Sequence, residues 1–330
     1  MTATKRPTSS TDAGSAAASL AAGTMASATQ WQLVAGFLVV YIVWGSTYLA
    51  IHWGVESIPP FGMGAVRFLF AGSILYVWCR AHGAEKPTAS QWKASAVIGT
   101  LLLFVGNGAV SWASQRVPSG LTSVLVATVP LWLVLCELWQ GKRPDLLKVL
   151  GVLIGLAGVA LLVMPTGAAT ATVDPLGAVV LACGSLSWTI GSLYSRTARQ
   201  SASPALAIAM QMLVGGSLLL TLSLALGEWT PELHVTARSA ASLLYLIVFG
   251  SLIGFSTYMW LLKVASPAAV GTYAYVNPAV AVMLGVLLAG ERVPARAVAA
   301  MTVILGGVAM VSIAGGGARR MVTAMWRARR

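Results

Sequence analysis

From Leu33 to Ala314 the chain is a succession of apolar runs, each near the roughly 20 residues that a helix needs to cross a bilayer, separated by short polar connections. In hydrocarbon a segment must satisfy its own backbone groups, and a helix does so without outside partners. Composition fits that solvent: 57% of the 330 residues are hydrophobic and 9% are charged, where soluble domains carry roughly 25% charge. The fold class expected is an all-α polytopic membrane protein, and a water-soluble domain of this composition is excluded.

Closing the runs at charged or Pro/Gly-rich breaks gives ten spans: Leu33 to Ile51, Phe61 to Cys79, Ala94 to Ala113, Gly120 to Trp139, Leu146 to Met164, Leu176 to Ser195, Pro204 to Leu226, Ser239 to Leu262, Ala268 to Ala289 and Ala297 to Ala314. Connections of about 5–15 residues leave no room for further domains and make neighbouring helices antiparallel. Residues 1–30 are rich in Ala, Ser and Thr without an apolar stripe, and read as a disordered cytoplasmic tail. They lack the compact apolar core of a cleavable signal, so the first span is expected to serve as an uncleaved anchor. The expected organisation is two five-helix units, 31–164 and 165–314, followed by a basic cytoplasmic tail, 315–330.

The formal charge of +12 arises from 21 Lys and Arg against nine Asp and Glu, and its placement matters more than its size. Assigning connections to alternate sides collects sixteen basic residues on one side, including Arg80, Lys142, Lys148, Arg199 and Arg330; Arg116, Arg238, Arg292 and Arg296 fall on the other, and Arg67 lies within a span. The positive-inside rule then puts both termini in the cytoplasm. The tail ending Trp326 to Arg330 suits anionic membrane lipid rather than nucleic acid. Cys79, Cys136 and Cys183 stand singly in apolar runs, without metal-ligand spacing or a matching His set, and read as small packing residues.

An internal repeat organises the spans. A shift of 144 lays Trp44 on Trp188, Pro60 on Pro204, Arg67 on Gln211 and Gly72 on Gly216; a shift of 149 lays Pro118 on Pro267, Gly141 on Gly290 and Arg143 on Arg292. An odd number of spans per copy makes the second enter from the opposite face. Inverted repeats of this kind support alternating access, although duplication also builds channels and polytopic enzymes.

Chemistry inside the spans is sparse. Arg67 lies about 9 Å inside the second, a costly depth for a permanent charge; it either grips a substrate carboxylate or snorkels outward to brace helix ends. Glu137, the acidic side chain within a span, either relays protons or is ion-paired beside Lys142 and Arg143 near the boundary. Trp44 with Tyr48, and Tyr273 with Asn277, are four residues apart and share helix faces that suit a cavity lining. Asn107, Trp112, Tyr258 and Trp260 add aromatic walls and polar groups for an amphipathic small molecule, or else form packing and interfacial belts. Pro130 and Pro278 sit mid-span in the fourth and ninth helices and free carbonyls four residues earlier, as gating or site-forming breaks do. Gly151 and Gly155 read as close helix packing. There is no nucleotide-binding GxxxxGK[ST] loop, no HExxH pair and no credible catalytic set, so neither enzyme chemistry nor a cofactor or metal is expected.

The string VWGSTYLAIHWGVESIPPFGMGAVRFLFAGSIL, Val43 to Leu75, with VPSGLTSVLVATVPLW, GKRPDLLKVLGVLIGLAGVALL and its echo GERVPARAVAAMTVILGGVAM, resembles EamA-type carriers of the drug/metabolite transporter superfamily. The resemblance implies a ten-helix inner-membrane carrier, often an exporter of amino acids, related metabolites or toxic compounds. Trp44, Gly45, Arg67, Pro130 and Pro278 match recurring landmarks, while Lys142 replaces an acid that Glu291 retains in the second half. The function expected is secondary export of a small zwitterionic or amphipathic metabolite, with Arg67 and Asn277 as anchors. A multidrug or cation facilitator, or a polytopic lipid-handling enzyme or scaffold, are the alternatives.

Overall fold

The structure, a computed structural model, describes residues 29–141, 143–163, 174–265 and 267–314. The N-terminal tail up to residue 28, the basic tail 315–330 with its expected lipid contact, Lys142 and Met164 lie outside the described residues. All regular elements among the described residues are helical.

Local sequence sets the helix starts. Helix α1, Gln30–Gly54, begins at a capping box between Thr29 and Gln32, and α3, Ala89–Ala113, repeats the device with Thr88 and Gln91. Proline opens α2 (Pro60–Ala81), α6 (Pro175–Ser195) and α7 (Pro204–Ala225), at positions where a missing N–H costs nothing. Asp174 and Ser203 cap the latter two, and Thr236 caps α8, Ala237–Val264. The remaining helices are α4 (Ser119–Trp139), α5 (Leu146–Val163), α9 (Tyr273–Ala289, after a short turn Pro267–Val270) and α10 (Ala295–Ala314). Gly290 ends α9 in the left-handed conformation at φ 64°.

Seven of these helices, α1 to α4 and α6 to α8, are long and apolar enough to cross a membrane; α5, α9 and α10 carry the shorter apolar stretches Leu146–Leu161, Val276–Ala289 and Ala295–Val311. Their outward faces stay apolar, with Phe70, Val77, Leu153, Val179 and Leu287 exposed, as lipid contact requires. The chain is a multi-pass membrane protein.

Glycine decides how closely the helices approach. Helix α2 packs along α7 and α5 along α10, while α3 meets α6, α8 meets α1, and α9 lies against both α1 and α4. A Cβ on Gly151 would stand 2.7 Å from the Gly307 carbonyl oxygen, and one on Gly307 would stand 2.5 Å from the Gly151 oxygen and the Gly155 nitrogen. The expected packing role of Gly151 and Gly155 is therefore visible in α5 and α10, backbone against backbone. Gly216 of α7 similarly faces the Leu69 backbone of α2 at 2.9 Å.

The breaks differ from expectation. Helix α4 is interrupted at Ala127 and Thr128, and Pro130 opens the second segment, Val129–Trp139, rather than kinking a continuous helix. A proline is cheapest in a first turn, so the helix restarts around it. Pro278 stays inside α9, and the discontinuity there lies upstream at Gly271 and Thr272. Both interruptions end in a threonine whose hydroxyl donates to the carbonyl three residues earlier, Thr128 to Leu125 (2.7 Å) and Thr272 to Ala269 (2.5 Å). The interruptions fall in α4 and α9, the fourth helix of each matched half, at threonines that draw less notice in the sequence than the prolines beside them.

One end of the bundle is stitched by polar contacts. The Glu228 carboxylate accepts from the backbone N–H groups of Phe61 (3.4 Å) and Gly62 (2.8 Å) and from the Ser223 hydroxyl (2.6 Å), holding the start of α2 to the end of α7. Glu291 accepts from Ser119 N–H (2.9 Å) and hydroxyl (2.7 Å) and from Gly120 N–H (3.3 Å), holding the start of α4 to the connection after α9. Both acids sit where a helix N-terminus leaves orphan donors and a positive dipole end. Arg238 pairs with Glu56, Arg116 lies 3.7 Å from Asp174, and the Ser239 hydroxyl donates to the Trp53 carbonyl at 2.7 Å.

Two substitutions test this packing. Gly307→Val inserts side-chain volume between two touching backbones and is expected to destabilise the fold by about 1–3 kcal/mol, read as a lower melting temperature in detergent. Glu291→Ala orphans three donors at the start of α4 and is expected to cost about 1–2 kcal/mol in the same assay, with Glu291→Gln intermediate.

Candidate functional site

Among the described residues three helices widen into π-type turns inside the bundle, and all three of these turns border one cavity. Wide π-type turns occupy Val40–Trp44 of α1, Thr100–Asn107 of α3 and Leu246–Phe255 of α8. Such turns release carbonyls from the i→i−4 ladder, and neighbouring side chains take them up. The Ser187 hydroxyl of α6 donates to Leu101 O at 2.8 Å, and the Trp44 indole N–H donates to Gly250 O at 3.3 Å. Asn277 of α9, with its amide nitrogen set toward Tyr41 O (3.2 Å) and Tyr273 O (3.3 Å), donates to both.

The cavity lies among α1, α2, α3, α4, α6, α8 and α9, and its lining includes Trp44, Thr47, Tyr48, Arg67, Asn107 and Trp188. The space inside it is ≈ 70 Å³, room for a few water molecules. Arg67 is the charged residue of the lining, and 5% of its surface is exposed. Its Nε donates to the Ser251 hydroxyl at 2.7 Å, and its guanidinium carbon stands 4.8 Å from the Phe68 ring centre. Among the described residues no carboxylate pairs with it. The Ser185 hydroxyl is buried in the same wall without a hydrogen-bond partner among the described residues.

Aromatic side chains close the cavity on the side away from the stitched end. The Trp44 ring centre lies 4.7 Å from Tyr258 and 5.7 Å from each of Trp188 and Tyr273, the last two edge to face. Trp188 N–H and the Ser192 hydroxyl both reach the Tyr258 oxygen, at 3.3 and 3.1 Å. Trp44 and Trp188 are the tryptophans that the 144 shift superimposes, and they meet across the cavity floor. Offset and perpendicular aromatic contacts of this kind contribute about 0.5–1.5 kcal/mol each beyond area burial, so the floor is a firm plug.

The sequence-derived residues divide into two groups. Trp44, Tyr48, Arg67, Asn107 and Tyr273 line the cavity together, and Tyr258 stands behind Trp44 in the floor. Trp112 lies instead at the stitched end beneath the Arg116 guanidinium, 3.9 Å from ring to carbon, in a separate mouth of ≈ 470 Å³ that also holds Glu56 and Glu228. Trp260 packs on Gly36 between α8 and α1, where a Cβ would meet its ring at 2.8 Å. Asn277 is buried against α1 and braces backbone rather than lining the cavity. Spacing put Asn277 on a face with Tyr273, and Trp112 and Trp260 stood out as aromatic residues, but neither signal says which neighbour covers the side chain. Glu137 pairs with Lys148 at 2.9 Å, across the start of α5, instead of with Arg143. Residues that sequence reading missed include Ser185, Gly250 and Ser251. Small hydroxyl and glycine positions carry no pattern in an apolar run, though the Gly250–Ser251 pair inside the eighth span was a readable signal.

Residues 31–164 and 175–313 each match the model of the EamA-like transporter family. The chain is 39% identical over 282 residues to "Uncharacterized inner membrane transporter YedA" of Escherichia coli (strain K12), covering 85% of this chain and 90% of that one. It is 25% identical over 289 residues to "Uncharacterized transporter YvbV" of Bacillus subtilis (86% and 92% covered) and 28% identical over 251 residues to "Protein PecM" of Dickeya dadantii (74% and 80%). A solved structure titled "Crystal structure of protein" superposes with a TM-score of 0.61 at 21% identity, covering 87% of this chain and 99% of that one, which shows a shared fold. The matches span both halves of the helix bundle that encloses the Arg67 cavity, and the chain belongs to the EamA-like transporter family.

Proposed function

We propose that the protein is a secondary exporter of amino acids or related small metabolites in the cell (inner) membrane, working by alternating access between two inverted five-helix units. In this reading the bundle crosses the bilayer ten times, both termini are cytoplasmic, and the basic tail rests on anionic lipid. The observation that carries the proposal is Arg67: a guanidinium buried in a cavity between the halves, with no acid beside it among the described residues, wants an anionic group from solution.

Three features support the two-unit mechanism. The helix pairs α2 with α7 and α5 with α10 are each five helices apart, as pseudo-symmetric partners are. Helices α4 and α9, the fourth of each unit, are each interrupted, at Ala127–Thr128 and at Gly271–Thr272. The polar stitches at one end and the aromatic floor on the far side of the cavity are separable closures, which two alternating openings require. A lining whose one charge is positive argues against the cation facilitator, because a cationic substrate would be repelled at short range in a low dielectric.

Purified protein in liposomes is expected to give saturable uptake from a pool of labelled amino acids and small carboxylates, and protein folded in detergent but inactive toward every pool member would overturn the proposal. Imposing a pH gradient distinguishes accumulation from equilibration. Arg67→Gln, which installs the residue that the second repeat has at Gln211, is expected to lower flux of a carboxylated substrate by about tenfold or more at unchanged membrane abundance, since charge-assisted hydrogen bonds carry about 1.5–3 kcal/mol. Cysteine labelling of residues placed before α1 and after α10 is expected to occur from the cytoplasmic side alone.

A further inference from the structure

Arg67 is held by a pair of residues on α8 that leaves one end of its guanidinium free, and that end defines a chemistry. The Nε–H is spent on Ser251, a fully buried hydroxyl, at 2.7 Å. Among the described residues this is the hydrogen bond that the guanidinium makes, so its four Nη–H donors remain for the cavity. The neighbouring Gly250 gives the group its room: a Cβ there would stand 2.9 Å from Nη2 and 3.5 Å from the guanidinium carbon. The Gly250 carbonyl is tied to the Trp44 indole, so the π-type turn of α8 that presents both residues is itself fixed.

A planar guanidinium can receive a carboxylate along its Nε–Nη edge or end-on between the two Nη groups. Ser251 occupies the first edge and leaves the second. The geometry points to Ser251 and Gly250 as positioning residues that aim the Nη fork of Arg67 into the cavity and make the site selective for a molecule that bears a single carboxylate on an apolar or aromatic body. The rest of the lining fits that body: Trp44, Tyr48, Phe68, Leu103 and Tyr273 supply apolar surface. Among the described lining residues one guanidinium with no second cation balances one negative charge; a dianionic phosphate would leave uncompensated charge in an apolar wall, and a molecule whose only charge is an ammonium would face Arg67 with no carboxylate to pair with. The inference rests on the carrier reading for its biological sense, but it concerns binding and is tested as binding.

The test uses full-length protein in detergent and a matched series of probes: 4-phenylbutyrate, its neutral carboxamide, 4-phenylbutylamine and the corresponding phosphonate. Affinities are measured by competition or thermal shift on wild type, Ser251→Ala and Gly250→Ala, each checked for monodispersity and melting temperature. Wild type is expected to prefer the carboxylate over the amide by about tenfold or more, as a charge-assisted pair does, and to bind the amine and the phosphonate more weakly than the carboxylate. Ser251→Ala is expected to lose most of that preference while its affinity for the amide stays within about threefold, a split that general loosening of the bundle would not produce. Gly250→Ala, which crowds Nη2, is expected to do the same, so the proposal does not hang on one variant. An undiminished carboxylate preference in both variants, or stronger binding of the amine or phosphonate by wild type, would overturn it. No binding of the carboxylate by folded wild type would overturn it as well. If liposome flux of another solute were found alongside that result, the carrier reading would stand without this inference; carboxylate selectivity without any flux would leave the inference standing and remove the carrier reading.

Discussion

The backbone of a chain in hydrocarbon has no water to turn to, and that constraint shapes both the ordinary and the exceptional parts of this molecule. Along most of each helix the i→i−4 ladder meets it. Where the ladder widens into π-type turns, in α1, α3 and α8, or breaks before Thr128 and Thr272, a released carbonyl needs another donor. Asn277, Ser187 and Trp44 provide one from a neighbouring helix, and the two threonines provide one locally. These repairs are also the contacts that fix α1 to α9, α3 to α6 and α8 to α1. The irregular backbone and the cavity therefore coincide for a physical reason: non-helical geometry survives at membrane depth where protein or cavity water surrounds it.

Arg67 depends on that arrangement. A guanidinium is tolerated inside the bundle because the wide turn of α8 brings Ser251 against Nε and places a glycine beside Nη2. The same turn receives the Trp44 indole, which links the charge to the aromatic floor. Polar stitches close the other side, where Glu228 and Glu291 cap helix starts across the junction of the two matched segments. Among the described residues charge thus serves as locks and ion pairs near helix ends and, at Arg67, as a buried cation, and each sits where helix termini or the cavity accommodate it.

Much of this was legible in the chain. The apolar runs overlap the long helices among the described residues, with starts five residues off at α3 and α9, because the helical rise and the hydrocarbon thickness leave little freedom. Trp44, Tyr48, Arg67, Asn107 and Tyr273 were readable as cavity residues since aromatic and polar side chains stand out against Leu, Val and Ala. Trp112, Trp260 and Asn277 stood out equally, and their different settings show that conspicuousness does not specify a neighbour. Ser185, Gly250 and Ser251 were hidden because a hydroxyl or a glycine in a membrane helix more often serves packing.

The sequence by itself determined the solvent, the helices and their order, the doubled pattern and the family, because each follows from local composition and from period along one dimension. Tertiary structure alone decided which faces meet. It set Trp44 on Trp188, gave the Glu137 carboxylate to Lys148, moved the break of α4 ahead of Pro130, and left Arg67 with a hydroxyl instead of an acid. The Trp44–Trp188 and Arg67–Ser251 contacts join segments more than a hundred positions apart, and the others turn on local backbone geometry and single hydrogen bonds, none of which a periodicity along the chain encodes.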